Sequence, residues 1–178
     1  MKFKKVDLSF QSCTSEYNEA DVVIFSLPMD ATTSYRPGTR FAGNAVRVDS
    51  IGIEWYSPYR EMSLKDYKTT DVGDLDMPIG AVDKCLETIY KATKTILSDD
   101  KTPFMIGGEH LVTLPVLKAF KEKYDDLHVI HLDAHTDLRE EFFGMELSHA
   151  TFMRHAHKFL GDHHIYQFGI RSGDKEEF

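Results

Sequence analysis

Two carboxylates and an imidazole follow an apolar run at alternate positions. Val129 to Leu132 form the run, and Asp133, His135 and Asp137 come directly after it. Because side chains on an extended strand alternate between faces, the three would project to one side if the backbone stays extended. Oxygen donors mixed with imidazole, without thiolate, suit Mn²⁺, Fe²⁺, Co²⁺ or Zn²⁺ rather than a structural zinc knot. The spacing predicts a divalent metal centre at a strand end.

A further candidate donor, His110, follows a second apolar run. Thr102 to Ile106 predict a brief strand that stops at a Gly-Gly pair two residues before His110. In open α/β sheets, ligands bind beyond the carboxyl ends of the strands, so His110 and Asp133 are expected at one edge. All nine histidines of the chain lie between His110 and His164, which gathers the imidazoles around this region.

Structural roles compete with each of these interpretations. Polar residues at a strand end also cap the helix that follows. His131 faces the same side as Asp133 in a regular strand, but its place in an apolar run predicts a packed or hydrogen-bonded histidine rather than a ligand. Glu109 is expected either to hold the His110 ring or to favour the N-terminus of the next helix, and the sequence leaves both roles open.

The elements that must position these residues alternate between strand and helix. This alternation predicts an α/β fold of three layers, with a parallel sheet covered by helices on both faces, in a single domain over residues 1–178. Periodicity places strands at 21–27, 69–74, 102–106, 127–132 and 164–170, and helices at 42–55, 81–97, 113–124 and 149–160.

Residues 28–40 form a long connection after the first of these strands. They are rich in Thr, Ser, Pro and Gly, which disfavours regular structure. A loop of this length in a compact domain is either functional or a solvated linker. The sequence favours neither.

The composition disfavours several classes of function for this protein. The 178 residues carry a net charge of −8, which disfavours binding to nucleic acid or to an anionic membrane and tolerates a small cationic substrate. The N-terminus lacks an apolar stretch after its basic residues and no segment is long enough to span a bilayer, so a cytoplasmic protein is expected. Cys13 and Cys85 are far apart and predict reduced thiols.

The motifs together resemble the ureohydrolase superfamily, the arginase and agmatinase relatives. Gly107-Gly108-Glu109-His110 followed by Asp133-Ala134-His135-Thr136-Asp137 carries the resemblance. Residues 34–41 resemble the agmatinase branch, and Ser148-His149 followed by Ala150-Thr151 resembles its histidine-containing substrate loop. The resemblance implies an arginase-like α/β fold that holds two manganese ions.

Position by position, the resemblance also implies roles. His110 and Asp137 would ligate one Mn²⁺, His135 the other, and Asp133 both, while His149 would protonate the departing amine. The implied reaction hydrolyses agmatine, a small cationic guanidino compound, to putrescine and urea, a step of polyamine biosynthesis. The implied assembly is a homo-oligomer, a trimer or a hexamer.

The chain departs from the family at its C-terminus. Relatives continue well beyond Arg171 to Asp174 with further strands, an Asp-x-Asp pair that completes both metal shells and a glutamate that holds the guanidinium. We therefore expect an incomplete domain whose C-terminal strands are missing. Three alternatives stay open: a ureohydrolase for guanidinobutyrate, formiminoglutamate or arginine, a truncated product with impaired activity, and a non-catalytic metal-binding fragment.

Overall fold

A computed structural model describes residues 1–178 and contains eight strands and four α-helices. Each predicted helix and strand is present within a few residues of its expected bounds. In chain order the elements are β1 (Phe3–Lys4), β2 (Val22–Ser26), α1 (Ala42–Ser50), β3 (Tyr56–Ser57), β4 (Met62–Ser63), β5 (Thr69–Leu75), α2 (Val82–Ser98), β6 (Thr102–Ile106), α3 (Thr113–Lys123), β7 (Val129–Leu132), α4 (Phe152–Leu160) and β8 (Ile165–Phe168).

The strands form a mixed arrangement. One sheet has the order β1-β5-β2-β6, in which β5, β2 and β6 are parallel as predicted and β1 adds an antiparallel edge. β7 and β8 pair in parallel as a separate ladder. β1, β3 and β4 were not expected, because a strand of two residues is too short to show periodicity.

The main core lies on one face of the sheet, under α2, α3 and α4. Alternate β2 residues, Val23 and Phe25, join a cluster of 16 buried residues with Ile89 and Ile96 of α2 and Met153 of α4. The apolar residues of α2 recur at helical spacing, so one stripe faces this cluster while the lysines face water. Burial of that stripe fixes α2 against the sheet.

The opposite face carries α1, which confirms helices on both faces. Gly43 of α1 approaches β2 so closely that a Cβ there would lie 2.0 Å from the Ser26 hydroxyl oxygen. Arg47, on the next turn, is fully buried and bonds the carboxylates of Asp71 and Asp74 on β5 at 2.6–2.9 Å. These charge-assisted bonds tie α1 to β5.

Much of that second face is apolar and exposed. Ile130 and Leu132 of β7 are 70% and 76% exposed, and Phe104, Tyr166 and Phe168 are also largely accessible. β6 and β7 each have a hydrogen-bonded neighbour on one side only. None of the four α-helices combines the length and apolarity that crossing a bilayer requires.

Candidate metal centre

A two-glycine turn delivers His110 to the carboxyl edge of the sheet. Gly107 and Gly108 have φ values of 62° and 95°, and a Cβ at Gly108 would lie 2.5 Å from the carbonyl oxygen of Leu27. Only glycine combines that close approach with positive φ. The turn ends β6 abruptly and places His110 in the first position of a short 3₁₀ turn that leads into α3.

The backbone after β7 bends at Ala134 before it pairs again with the segment after β8. The Asp133 side-chain oxygen Oδ1 accepts a hydrogen bond from the backbone N–H of His135 at 2.9 Å, and Asp137 has a φ of 54°. The bend at Ala134 and the positive φ of Asp137 interrupt the regular alternation on which the spacing prediction depended, although His135 still forms a parallel bridge with Ser172. The three side chains differ in exposure, because Asp137 is buried whereas the His135 side chain is 62% exposed.

Four side chains nevertheless converge behind the two strand ends. The His110 Nδ1 lies 2.7 Å from Asp137 Oδ2 and 3.2 Å from Asp133 Oδ2, and His131 Nε2 lies 3.2 Å from that same Asp133 oxygen. All four potential ligand atoms lie within 4.8 Å of one another. Asp133 and Asp137 thus come together as the sequence predicted, although the backbone between them is not regularly extended.

His135 stands beside this group rather than within it. Its Nδ1 lies 3.7 Å from Oδ1 of Asp133, the carboxylate oxygen that does not face His110. The two oxygens of Asp133 consequently look in different directions, one toward His110 and His131 and the other toward His135. A carboxylate placed in this way can serve two neighbouring cation positions.

The donor set fits a divalent cation. Asp133 and Asp137 are 11% and 5% exposed, and two nearly buried carboxylates require a nearby positive charge. The hydrogen bond to Asp137 raises the pKa of His110, against the effect of burial. Burial raises the pKa of Asp133, but the His135 N–H bond and the electrostatic effect of the neighbouring His110 and His131 rings outweigh it, so the net pKa is lowered.

His131 has the hydrogen-bonded role that its apolar run predicted. Gln167 Nε2 donates to the Thr136 carbonyl oxygen at 2.6 Å and lies 2.9 Å from His131 Nδ1. An amide nitrogen has two hydrogens and accepts none, so Gln167 Nε2 donates to His131 Nδ1 as well. The proton of the His131 ring is then on Nε2, which faces Asp133. His131 also belongs to the converging group, although the sequence argument left it out of the ligand set.

The Glu109 side chain makes no capping bond to the turn that follows, although Glu109 lies at its N-cap position and its charge helps to raise the pKa of His110. Its buried carboxylate accepts hydrogen bonds from the Thr32 N–H at 2.9 and 3.1 Å and from the Thr32 hydroxyl at 2.7 Å. The Thr32 hydroxyl oxygen in turn accepts from the His149 N–H at 3.0 Å. Burial raises the pKa of Glu109, although the Thr32 bonds oppose the shift.

The first part of the connection, residues 28–33, packs against the site, whereas most of residues 34–40 is exposed to solvent. Thr32 is 4% exposed and joins the residue before His110 to His149. Sequence reasoning pointed to the loop but not to Thr32. No periodic signal identifies one threonine among several in a loop, since its partners lie 77 and 117 residues away.

His149 lies next to this network and outside the ligand group. Its ring meets Phe142 edge-on at 5.2 Å, and its Nδ1 is buried without a protein hydrogen-bond partner. A buried polar atom without a partner is uncommon and needs a ligand, a water molecule or a functional explanation. One ring nitrogen of His149 is therefore left without a protein partner.

The sequence is similar to proteins of the arginase family. The profile of the arginase family matches residues 20–178. An agmatinase from Bacillus subtilis is 48% identical over 169 residues, which are 95% of this chain and 58% of that protein. A guanidinobutyrase from Pseudomonas aeruginosa is 30% identical over 89% of this chain and 50% of its own length.

The fold has the same relatives. The solved structure of the agmatine ureohydrolase of Thermoplasma volcanium superposes with a TM-score of 0.88 at 30% identity, covering 97% of this chain and 57% of that one. The chain thus spans half to somewhat more than half the length of these relatives, and over that span it has the fold of the solved structure.

Proposed function

The chain belongs to the arginase family, and we propose that this protein is a metal-dependent amidinohydrolase that cleaves agmatine to putrescine and urea. The convergence of His110, Asp133 and Asp137 ligand atoms within 4.8 Å at the sheet edge carries the proposal. The choice of agmatine rests on the similarity to the Bacillus subtilis agmatinase.

We propose Mn²⁺ as the metal and two ions as the complement. His110, Asp133 and Asp137 would hold one ion, and Asp133 with His135 would contribute to the other, as the two directions of the Asp133 oxygens suggest. Carboxylate oxygen and imidazole together suit Mn²⁺. When bound, divalent ions supply an activated water at neutral pH and neutralise developing negative charge.

The side chains around the centre have separate tasks. A primary amine leaves poorly unless it is protonated as the carbon–nitrogen bond breaks, and an imidazole suits that transfer near neutral pH. His149, whose buried Nδ1 has no protein partner, is our candidate for the acid. Thr32 holds the backbone of His149 in place, and Glu109 holds Thr32.

The charge of the protein supports a cationic substrate. A net charge of −8 attracts agmatine and repels nucleic acid and anionic membranes.

We further propose assembly as a trimer or hexamer, which sedimentation equilibrium would distinguish from a monomer. These two proposals depend on different properties, so one can fail without the other.

A second substrate is worth testing against agmatine. The similarity to a guanidinobutyrase favours 4-guanidinobutyrate, whose carboxylate makes it net neutral. Formiminoglutamate and arginine complete the panel because they share the amidine or guanidine group. A non-catalytic metal-binding role is the alternative of another class.

The test measures metal retention and urea or formamide release by the 178-residue chain. The chain is loaded with Mn²⁺, desalted, analysed for bound metal and assayed with the four substrates. Agmatine turned over fastest supports the proposal, whereas equal or faster turnover of arginine or guanidinobutyrate reassigns the substrate. Retained Mn²⁺ without product from any substrate indicates a non-catalytic metal-binding role for these 178 residues, and loss of Mn²⁺ on desalting shows that these residues alone do not hold the metal. His157→Asn, on the exposed side of α4, is the matched control for His149→Asn.

A further inference from the structure

A second group of metal-ligand side chains lies at the opposite end of β7 and β8. Asp126, His128 and His164 place one ligand atom each within 4.8 Å of the others, and none of them contacts the candidate metal centre. We propose that these three residues form a separate binding site for a divalent transition metal such as Zn²⁺. The proposal does not depend on the hydrolase activity.

The backbone of the β7–β8 ladder sets the two imidazoles side by side. The Val129 N–H donates to the His164 carbonyl oxygen at 2.7 Å, and Val129 pairs with Ile165 in the parallel register. His128 and His164 therefore precede paired positions and project to the same face. Their rings stack at 4.7 Å between centroids with an interplanar angle of 20°.

The separations of the ligand atoms suit one ion. Oδ1 of Asp126 lies 3.1 Å from His128 Nε2 and 3.7 Å from His164 Nε2. A tetrahedral ion with bonds of about 2.0–2.1 Å keeps its ligand atoms about 3.3 Å apart. Small side-chain rotations would bring all three atoms onto one ion.

The protonation of His164 is already arranged for ligation. Its Nδ1 lies 2.9 Å from the backbone carbonyl oxygen of Asp162, an acceptor, so Nδ1 carries the proton and donates it there. In the neutral ring Nε2 is then the nitrogen that can accept a metal ion, and it lies 3.7 Å from Asp126 Oδ1. Bonding of one ring nitrogen to a carbonyl while the other binds metal is the usual arrangement of metal-ligating histidines.

The donor set selects the kind of ion. Two imidazoles and one carboxylate suit Zn²⁺, Ni²⁺ or Cu²⁺ better than Mg²⁺ or Ca²⁺, which prefer oxygen ligands. The Asp126 side chain is 88% exposed, so the ion can enter directly from solvent. His128 and Asp133 are five residues apart along β7, or about 16 Å, so the two centres are too far apart to share an ion.

Imidazole nitrogen NMR tests the site in the intact 178-residue chain. Zn²⁺ is added at pH 7.5 to the ¹⁵N-labelled protein, and long-range proton–nitrogen spectra follow each histidine. We expect the Nε2 signals of His128 and His164 to move together and to reach a plateau with one equivalent per site. The signals of His110 and His135 report the candidate metal centre independently.

Three variants give the same answer by equilibrium dialysis. His128→Gln and His164→Gln should each lower the Zn²⁺ stoichiometry by one ion per chain. Asp126→Asn should lower the affinity of the site for Zn²⁺ by at least about tenfold. His157→Gln is the matched control, because it removes an exposed imidazole paired with a single carboxylate, Asp162, at 2.8 Å; it should leave the stoichiometry unchanged.

Two results would overturn the site. One is a titration in which Zn²⁺ shifts only the NMR signals of His110 and His135. The other is a Zn²⁺ stoichiometry that is the same in the wild type and in the His128 and His164 variants. Both residues are at least partly exposed, so we expect the variants to fold. If one does not, the wild-type spectra alone decide between the outcomes.

Discussion

Replacing Thr32 by valine tests whether the loop after β2 holds the candidate site together. The Thr32 hydroxyl donates to the buried carboxylate of Glu109 at 2.7 Å and accepts from the His149 N–H at 3.0 Å. Valine has nearly the same shape and removes both bonds at once. The Thr32 N–H keeps its own bonds to Glu109.

The expected destabilisation follows from these two bonds. A hydrogen bond to a charged group contributes about 1.5–3 kcal/mol, and an unsatisfied buried donor costs about 1–3 kcal/mol. Water reaching the His149 N–H would offset part of the second cost. We therefore expect the free energy of unfolding to fall by about 3 kcal/mol, a large share of the total for a domain.

Thr32→Ser is the matched control, since it keeps the hydroxyl and loses one methyl group, about 0.8 kcal/mol. Urea unfolding compares the variants, and amide hydrogen exchange follows the His149 N–H directly. Exchange at His149 should accelerate in Thr32→Val and stay slow in Thr32→Ser. If both variants unfold within about 1 kcal/mol of each other and protect His149 equally, the network does not hold the site.

Four further perturbations test other parts of the molecule. Arg47→Met leaves two carboxylates without their buried partner and should cost about 3–5 kcal/mol in urea unfolding. Lys91→Met, which breaks the exposed Lys91–Glu87 ion pair, should cost at most about 1 kcal/mol. Burial raises the pKa of Asp71, but its Arg47 bonds outweigh burial and hold the net pKa below the ordinary 3.8. The ionised Asp71 therefore stabilises the folded state fully above that pH, and this contribution is lost as pH falls through the folded-state pKa. Asp71→Asn should accordingly make the free energy of unfolding depend less on pH in the acid range. Asp133→Asn should weaken Mn²⁺ binding by at least about tenfold in dialysis with metal analysis. His149→Asn should lower the turnover of agmatine by about 10²–10⁴-fold with little change in Mn²⁺ content, and equal turnover would remove His149 from the acid role.

The elements around the site were predictable because their signals are local. The apolar run of β7, the helical periodicity of α2 and the Gly-Gly stop after β6 each express a preference of neighbouring residues. The carboxyl-edge rule then placed His110 near Asp133 without any knowledge of side-chain contacts. That much of the fold follows from sequence and from elementary rules of strand and helix geometry.

The detailed site geometry was less predictable because it depends on tertiary contacts. The backbone turns after Asp133 because that side chain caps the His135 N–H, and no alternation pattern shows this. Thr32 meets Glu109 only after the chain has folded β2 and β6 side by side. The antiparallel β1 depends on pairing with Leu75 and Asp74, far along the chain.

Asp133 joins the fold to the chemistry of the site. Its backbone N–H donates to the Phe168 carbonyl oxygen at 3.1 Å and so extends the β7–β8 ladder by one bond. One side-chain oxygen caps the turn at His135, and the other faces His110. Because strand pairing and the turn already fix this carboxylate, a metal ion would meet a ligand in position rather than having to order one. The geometry of the centre therefore depends first on the pairing of β7 with β8, and only then on the ion that occupies it.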